Sequence, residues 1–180
     1  GDFFGEPTDF ANERVKRGRC EQFRICVSRW TDLYGADALP EAQNPLIGNP
    51  MGFMIDNAFY TPDNLRHDFY ARRVVDLVGH LPDPRVCEVG GGFGGFAYHL
   101  LRRPEVSFKY IDYDIPVIAI AAASYLITAC PEKKIKLFGE VEPADPLREC
   151  DAAILPNFAL PDLKAFCGAE LMGHTLHNLY

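Results

Sequence analysis

The stretch Arg85-Val86-Cys87-Glu88-Val89-Gly90-Gly91-Gly92-Phe93-Gly94-Gly95-Phe96-Ala97 decides the fold. It reads as a short apolar strand carrying an acid near its end, then a turn packed with glycine. The amphipathic start Phe96-Ala97-Tyr98-His99-Leu100-Leu101 follows. Glycine accepts positive φ and lets a ligand lie directly against main chain, so five glycines in six positions suit close approach. A plain strand–helix connection needs only about one or two. The helix that follows presents unpaired N–H groups and a partial positive charge toward the turn. A nucleotide-like ligand is the expected occupant.

Two patterns overlap in the turn. Gly90, Gly92 and Gly95 satisfy the dinucleotide fingerprint G-x-G-x-x-G. Glu88, Gly90, Gly92 and Gly94 satisfy acid-x-G-x-G-x-G, with Gly91 between them. The second pattern resembles the first motif of class I S-adenosylmethionine (SAM) methyltransferases, in which the strand-end acid anchors the amino-acid end of the cofactor. A carboxylate attracts an ammonium group and repels a pyrophosphate, so Glu88 favours SAM over a dinucleotide.

Working outward, Phe108-Lys109-Tyr110-Ile111-Asp112-Tyr113-Asp114 is a second strand ending in carboxylates, followed by Ile115-Pro116. An acid about 20 residues past the glycine turn can accept hydrogen bonds from both ribose hydroxyls. Asp114 stands at that distance, directly before the proline that opens the next helix. Asp112 is the alternative, and its reading as an ordinary strand residue ranks ahead of a ribose contact.

With these elements in place, the chain resembles a family of sugar O-methyltransferases. The resemblance rests on Gly48-Asn49-Pro50, Leu65-Arg66-His67-Asp68-Phe69-Tyr70, the Glu88 glycine turn, Asp114-Ile115-Pro116 and Tyr125-Leu126, in that order. It runs from about Asn44 to about Leu163, roughly two thirds of the chain. It implies a class I methyltransferase fold, SAM as cofactor, and methyl transfer to a hydroxyl of a small molecule, with a sugar among the candidate acceptors. It also places Glu140 near the position where such enzymes hold the adenine. Glu88, Gly90, Gly91, Gly92, Gly94, Asp114, Ile115, Glu140 and Asn157 form the expected cofactor set. For Glu140, an exposed loop acid beside Glu142 is an equal reading, and Asn157 is also a common turn residue.

Size and composition fit this picture. The 180 residues suit one core with an N-terminal helical cap, expected at 1–82, followed by a Rossmann-like core at 83–180. The net charge of −7 argues against a nucleic-acid partner. The basic cluster Arg14, Lys16, Arg17 and Arg19 is flanked by Glu13 and Glu21, as on a solvated helix face. Six cysteines (Cys20, Cys26, Cys87, Cys130, Cys150 and Cys167) include no C-x-x-C pair, so no metal site is expected. Scattered thiols suit a reducing, cytoplasmic compartment. No apolar run is long enough for a membrane span, and a homo-oligomer is left open.

Along the chain, Asp9 to about Tyr34 reads as a helix with an apolar stripe Phe23, Val27, Trp30 and Tyr34. Gly35 to Met51 carries three prolines and reads as a crossing loop. Thr61-Pro62 starts a helix as N-cap and first turn, with Leu65, Phe69, Val74, Leu77, Val78 and Leu81 on its buried side. Strands are expected at 85–89, 108–114, 134–138 and 151–155, with helices at 96–103 and 116–129. That alternation predicts an α/β fold with a mostly parallel sheet, helices on both faces, and ligands at the carboxyl ends of the strands. Glu88, Asp114, Glu140 and Asn157 should meet along that edge.

A full class I sheet would need three more strands after the fourth. The remaining residues supply no recognisable pair, so the C-terminal strands are expected to be missing and the fourth strand to be left with an open edge. His174 and His177, spaced three apart, are the late candidates for a base or a metal pair and rank below the reading as exposed histidines. Two other readings stand beside methyl transfer. One is an NAD(P)-dependent oxidoreductase, disfavoured by Glu88, by roughly 85 residues before the fingerprint, and by the lack of a Tyr-x-x-x-Lys pair. The other is a catalytically silent methyltransferase-like binding domain.

Overall fold

The computed structural model describes residues 3–4, 13–48, 50–142, 144–162 and 175–177, with only the backbone given for 3–4, 13, 160–162 and 175–177. Two compact units divide at Tyr70–Ala71, inside a helix rather than after it.

The first unit holds β1 (Phe3–Phe4), α1 (Glu13–Tyr34), a 3-10 helix at Ala36–Ala42, β2 (Gly52–Ile55), β3 (Ala58–Tyr60) and the first half of α2 (Pro62–Val78). The apolar stripe of α1 is the packing face: Phe23 and Trp30 are buried, with Val27 and Tyr34 packed beside them. Phe23 stacks on Phe53 of β2 at 4.0 Å between ring centroids. The region is not purely helical, because β1, β2 and β3 form an antiparallel sheet in that order. The β2–β3 turn is Asp56-Asn57, both at positive φ, the conformation a tight hairpin requires. The expected crossing loop likewise contains a 3-10 helix with Pro40 inside it.

α2 begins as its sequence predicts. The Thr61 hydroxyl accepts from the Asn64 N–H at 3.0 Å, and the Asn64 side chain accepts in return from the Thr61 N–H. One turn later, Asp68 is buried and accepts from the Trp30 indole N–H at 3.0 Å. Leu77 departs from expectation: it is 48% exposed, while Val74 and Val78 carry the buried side.

The second unit is the α/β core: β4 (Arg85–Val89), α3 (Gly95–Leu101), β5 (Lys109–Asp114), α4 (Pro116–Ala129), β6 (Ile135–Leu137), β7 (Ala152–Pro156), a 3-10 helix at Asn157–Asp162, and β8 (Thr175–His177). All neighbouring strands in its sheet are parallel, and their order is β6-β7-β5-β4-β8. The sheet differs from expectation at two places. The fourth core strand, β7, is flanked by β5 and β6 and leaves no open edge. A fifth strand, β8, pairs with β4, so one strand is present where the sequence offered none.

The faces follow from the order. The steps β4→β5 and β5→β6 run the same way across the sheet, and α3 and α4 both pack on one face with Val86, Tyr110 and Ile154. The step β6→β7 reverses, and its connection packs on the other face through Val141, Leu147 and Cys150 against Cys87, Ile111, Tyr113 and Leu155. A constant crossover hand requires this switch of face on reversal. The expectation of helices on both faces is therefore met on one. Among the described residues, the buried cluster of the second face draws on the 138–151 connection and the 3-10 helix. The Lys109 ammonium holds that connection down, donating to the Leu147 and Cys150 carbonyls at 3.3 and 2.9 Å. No helix among the described residues is long and apolar enough to cross a membrane.

Candidate functional site

Because every strand runs the same way, the carboxyl ends of β4 to β7 share one edge, and Glu88, Asp114, Glu140 and Asn157 all lie along it. The edge is not uniform. Its β4–β5 part is a connected polar cluster beneath the glycine turn, and its β6–β7 part is exposed.

The turn is held from below. The Gly90 N–H donates to the Tyr113 carbonyl at 2.9 Å, and the Gly94 N–H to the Gly91 carbonyl at 3.2 Å. Gly90, Gly92 and Gly94 have φ of 80°, 61° and 90°, a region that side chains disfavour. The glycines serve different ends. A Cβ on Gly94 would press on Leu126 at 3.0 Å, so this one lets the turn sit on α4. A Cβ on Gly92 would meet nothing within 4 Å among the described residues, which leave open space over the turn. Gly91 is not at positive φ; there a Cβ would lie 2.7–2.9 Å from the carboxylate of Asp112.

Two aspartates of β5 grip this turn from alternate positions. Asp114 accepts from the Gly92 N–H at 2.9 Å and from the Ile115 N–H at 2.7 Å. A carboxylate has about four acceptor sites, so both oxygens keep capacity for hydroxyl donors. Asp112 accepts from the Gly91 N–H at 3.0 Å through Oδ1, while its Oδ2 is buried with no hydrogen-bond partner among the described residues. Asp112 is thus no ordinary strand residue. It stands directly across from Glu88 in the β4–β5 register, on the face that also carries Val86 and Tyr110. Both acids are buried, at 1% and 2% exposure.

The Tyr110 hydroxyl donates to Glu88 Oε2 at 2.5 Å. Burial, reinforced by the charge of Glu88, pushes that phenol well above its ordinary range, so it stays a donor. Asp112 is pushed up to about 8, first by burial and then by Glu88, against the pull of the Gly91 N–H. One signal could have flagged this residue in the sequence: Asp112 and Asp114 share a strand face, and a parallel partner brings Glu88 beside it.

The rest of the expected set is dispersed. Ile115 is half exposed at the start of α4. Glu140 is exposed beyond the edge strand β6, where its carboxylate accepts from the Leu137 N–H at 2.8 Å and closes its own turn. Asn157 is exposed after β7, and since β7 neighbours β5, it follows the residue paired with Asp114 instead of flanking β4. Phe138 and Phe158 meet edge to face at 5.2 Å on this part of the edge. The backbone of His177 pairs beside Val89, and its side chain lies outside the described residues, as does all of His174.

A cavity of about 330 Å³ lies at the opposite edge, lined by Arg102, Arg103, Lys133 and Glu132 among others. Its cations follow the C-termini of α3 and α4, where the helix dipole favours positive charge, so they have a structural reason to be there. Comparison of the chain with models of known protein families, with curated proteins and with solved structures gave no match.

Proposed function

We propose that the chain is a SAM-dependent methyltransferase acting on a hydroxyl of a small molecule, with a sugar as one candidate acceptor class. The observation that carries the proposal is the pairing of a buried acid, Glu88, with a turn of three positive-φ glycines that Asp114 holds by the Gly92 N–H. This donor set fits the cofactor end by end. Glu88 suits an ammonium group, Asp114 keeps acceptor capacity for ribose hydroxyls, and the space over Gly92 admits a ligand against main chain. The half-exposed Ile115 offers apolar surface beside Asp114 for a base. The finer fold assignment, a class I methyltransferase sheet in a cytoplasmic enzyme, belongs to the same proposal. The position of β7 between β5 and β6 departs from the usual doubly wound order, in which the fourth strand lies beside the first.

SAM supplies an electrophilic methyl group. The protein's part is to align an acceptor oxygen with it and to let the hydroxyl proton leave as attack proceeds. Calorimetry tests the reading: SAM and S-adenosylhomocysteine should bind, and NAD and NADP should not. Gly92→Val should abolish binding, because the new side chain would fill the space over the turn in a backbone conformation that valine resists. NADH binding without SAM binding would give the glycine turn to a dinucleotide instead.

A further inference from the structure

We propose that Asp112 is a proton-releasing positioning residue of this site: it keeps its proton while no ligand is bound and surrenders it when a ligand ammonium is drawn to the Glu88–Asp112 pair. The inference rests on the reading of Glu88 as an ammonium anchor and adds a partner to it.

Geometry carries it. Adjacent strands of a sheet lie about 4.8 Å apart, so two carboxyl side chains in direct register on one face are close neighbours. Both are buried, and two carboxylates sharing such a place do not both ionise readily. Glu88 is the better placed to carry the charge, because Tyr110 donates to it. Asp112 has one oxygen on the Gly91 N–H and one buried oxygen with no hydrogen-bond partner among the described residues. An ionised carboxylate left so costs far more to bury than a protonated one. The groups that act on it are Glu88 of β4, Asp114 and Tyr110 of β5, and the N–H groups of Gly91 and Tyr113; its register partner on β7 is the apolar Ile154.

An ammonium brought to this pair reverses the balance. The positive charge stabilises a second carboxylate, the Asp112 O–H bond breaks, and the proton passes to solvent, leaving one cation between two anions. The Gly91 N–H, already on Oδ1, then holds a full charge, and the turn tightens as the ligand arrives. Loading would thus be coupled to the order of the turn that forms the site.

The test is calorimetry of SAM binding at pH 7 in buffers of different ionisation enthalpy, which reads the number of protons released. Wild type should release close to one proton more than Asp112→Asn, with the variant's affinity kept within about tenfold. 5′-Methylthioadenosine, which has the nucleoside but no ammonium, should release none. SAM binding with equal proton counts in wild type and variant overturns the inference and leaves the cofactor reading standing. Failure of SAM and S-adenosylhomocysteine to bind overturns both. Should Asp112→Asn not fold, carboxyl ¹³C titration of the ligand-free wild type decides: a midpoint near 8 for Asp112 supports the inference, and one near 4 overturns it.

Discussion

The two halves of the carboxyl edge are built from similar residues and used differently. Beneath the glycine turn, Glu88 and Asp112 are buried, and Asp112 and Asp114 hold main-chain N–H groups of the turn itself. At the ends of β6 and β7, Glu140 and Asn157 are exposed, and Glu140 accepts from the Leu137 N–H of its own turn. Buried acids cost free energy that packing must offset, so they persist where the fold needs them or a ligand uses them. On the proposed reading, ligand chemistry lies at β4–β5 and β6–β7 is rim.

The largest expected break in that contrast is a pH effect from Asp112. The folded protein holds its proton up to about pH 8, whereas in the unfolded chain it is lost near pH 4. Stability therefore falls as pH rises between those values, since the folded state binds the extra proton. The slope is about 1.4 kcal/mol per pH unit for one such group. Urea denaturation of wild type and Asp112→Asn at pH 5 to 8 should show the wild type losing stability relative to the variant as pH rises. A constant difference would place Asp112 with the ordinary carboxylates.

Next comes Asp114. Asp114→Ala should weaken SAM by about 1.5–3 kcal/mol, the usual worth of hydrogen bonds to a charged group. It also frees the Gly92 N–H that the turn depends on. Asp112→Ala should be milder. Titration calorimetry of both variants checks the order, and its reversal would move the ribose contact to Asp112.

Gly91→Ala sharpens the contrast from the main-chain side. The new Cβ would sit 2.7–2.9 Å from a carboxylate that is buried and tied to the same residue's N–H, so it cannot simply swing away. Overpacking of this kind costs about 1–3 kcal/mol. Adding Asp112→Ala removes the obstacle, so the double variant should be more stable than the sum of the single effects. Additive losses would show that Gly91 is required for another reason.

Much of this was legible in the sequence, and the gaps have physical causes. The bounds of β4 and α4 follow from the glycine turn and from Pro116, which punctuate the chain sharply. The N-cap at Thr61 was equally clear. The β2–β3 hairpin was not, because its strands are short and its turn is Asp56-Asn57, without the glycine that usually marks one. Strand order was out of reach: alternation of strand and helix predicts parallel neighbours but not which neighbours, and β7 entered between β5 and β6. β8 is three residues long and carries no periodic pattern. Asp112 was hidden for a related reason. Its significance lies in what stands across from it, and only the β4–β5 register supplies that.

The smallest expected effect falls on Glu140, and its smallness is the point. If the β6–β7 half of the edge is rim, Glu140→Ala removes one exposed hydrogen bond to the Leu137 N–H and little else. An exposed bond exchanges readily with water, so stability should change by no more than about 0.5 kcal/mol. SAM affinity should change by less than about threefold, since that is worth roughly 0.7 kcal/mol and no buried partner is stranded. The resemblance to sugar O-methyltransferases points the other way, because it puts Glu140 beside the adenine. Calorimetry of Glu140→Ala with SAM separates the two: a loss of tenfold or more with unchanged folding would bring Glu140 into the site, and the bond to Leu137 would then be a resting contact that the ligand displaces.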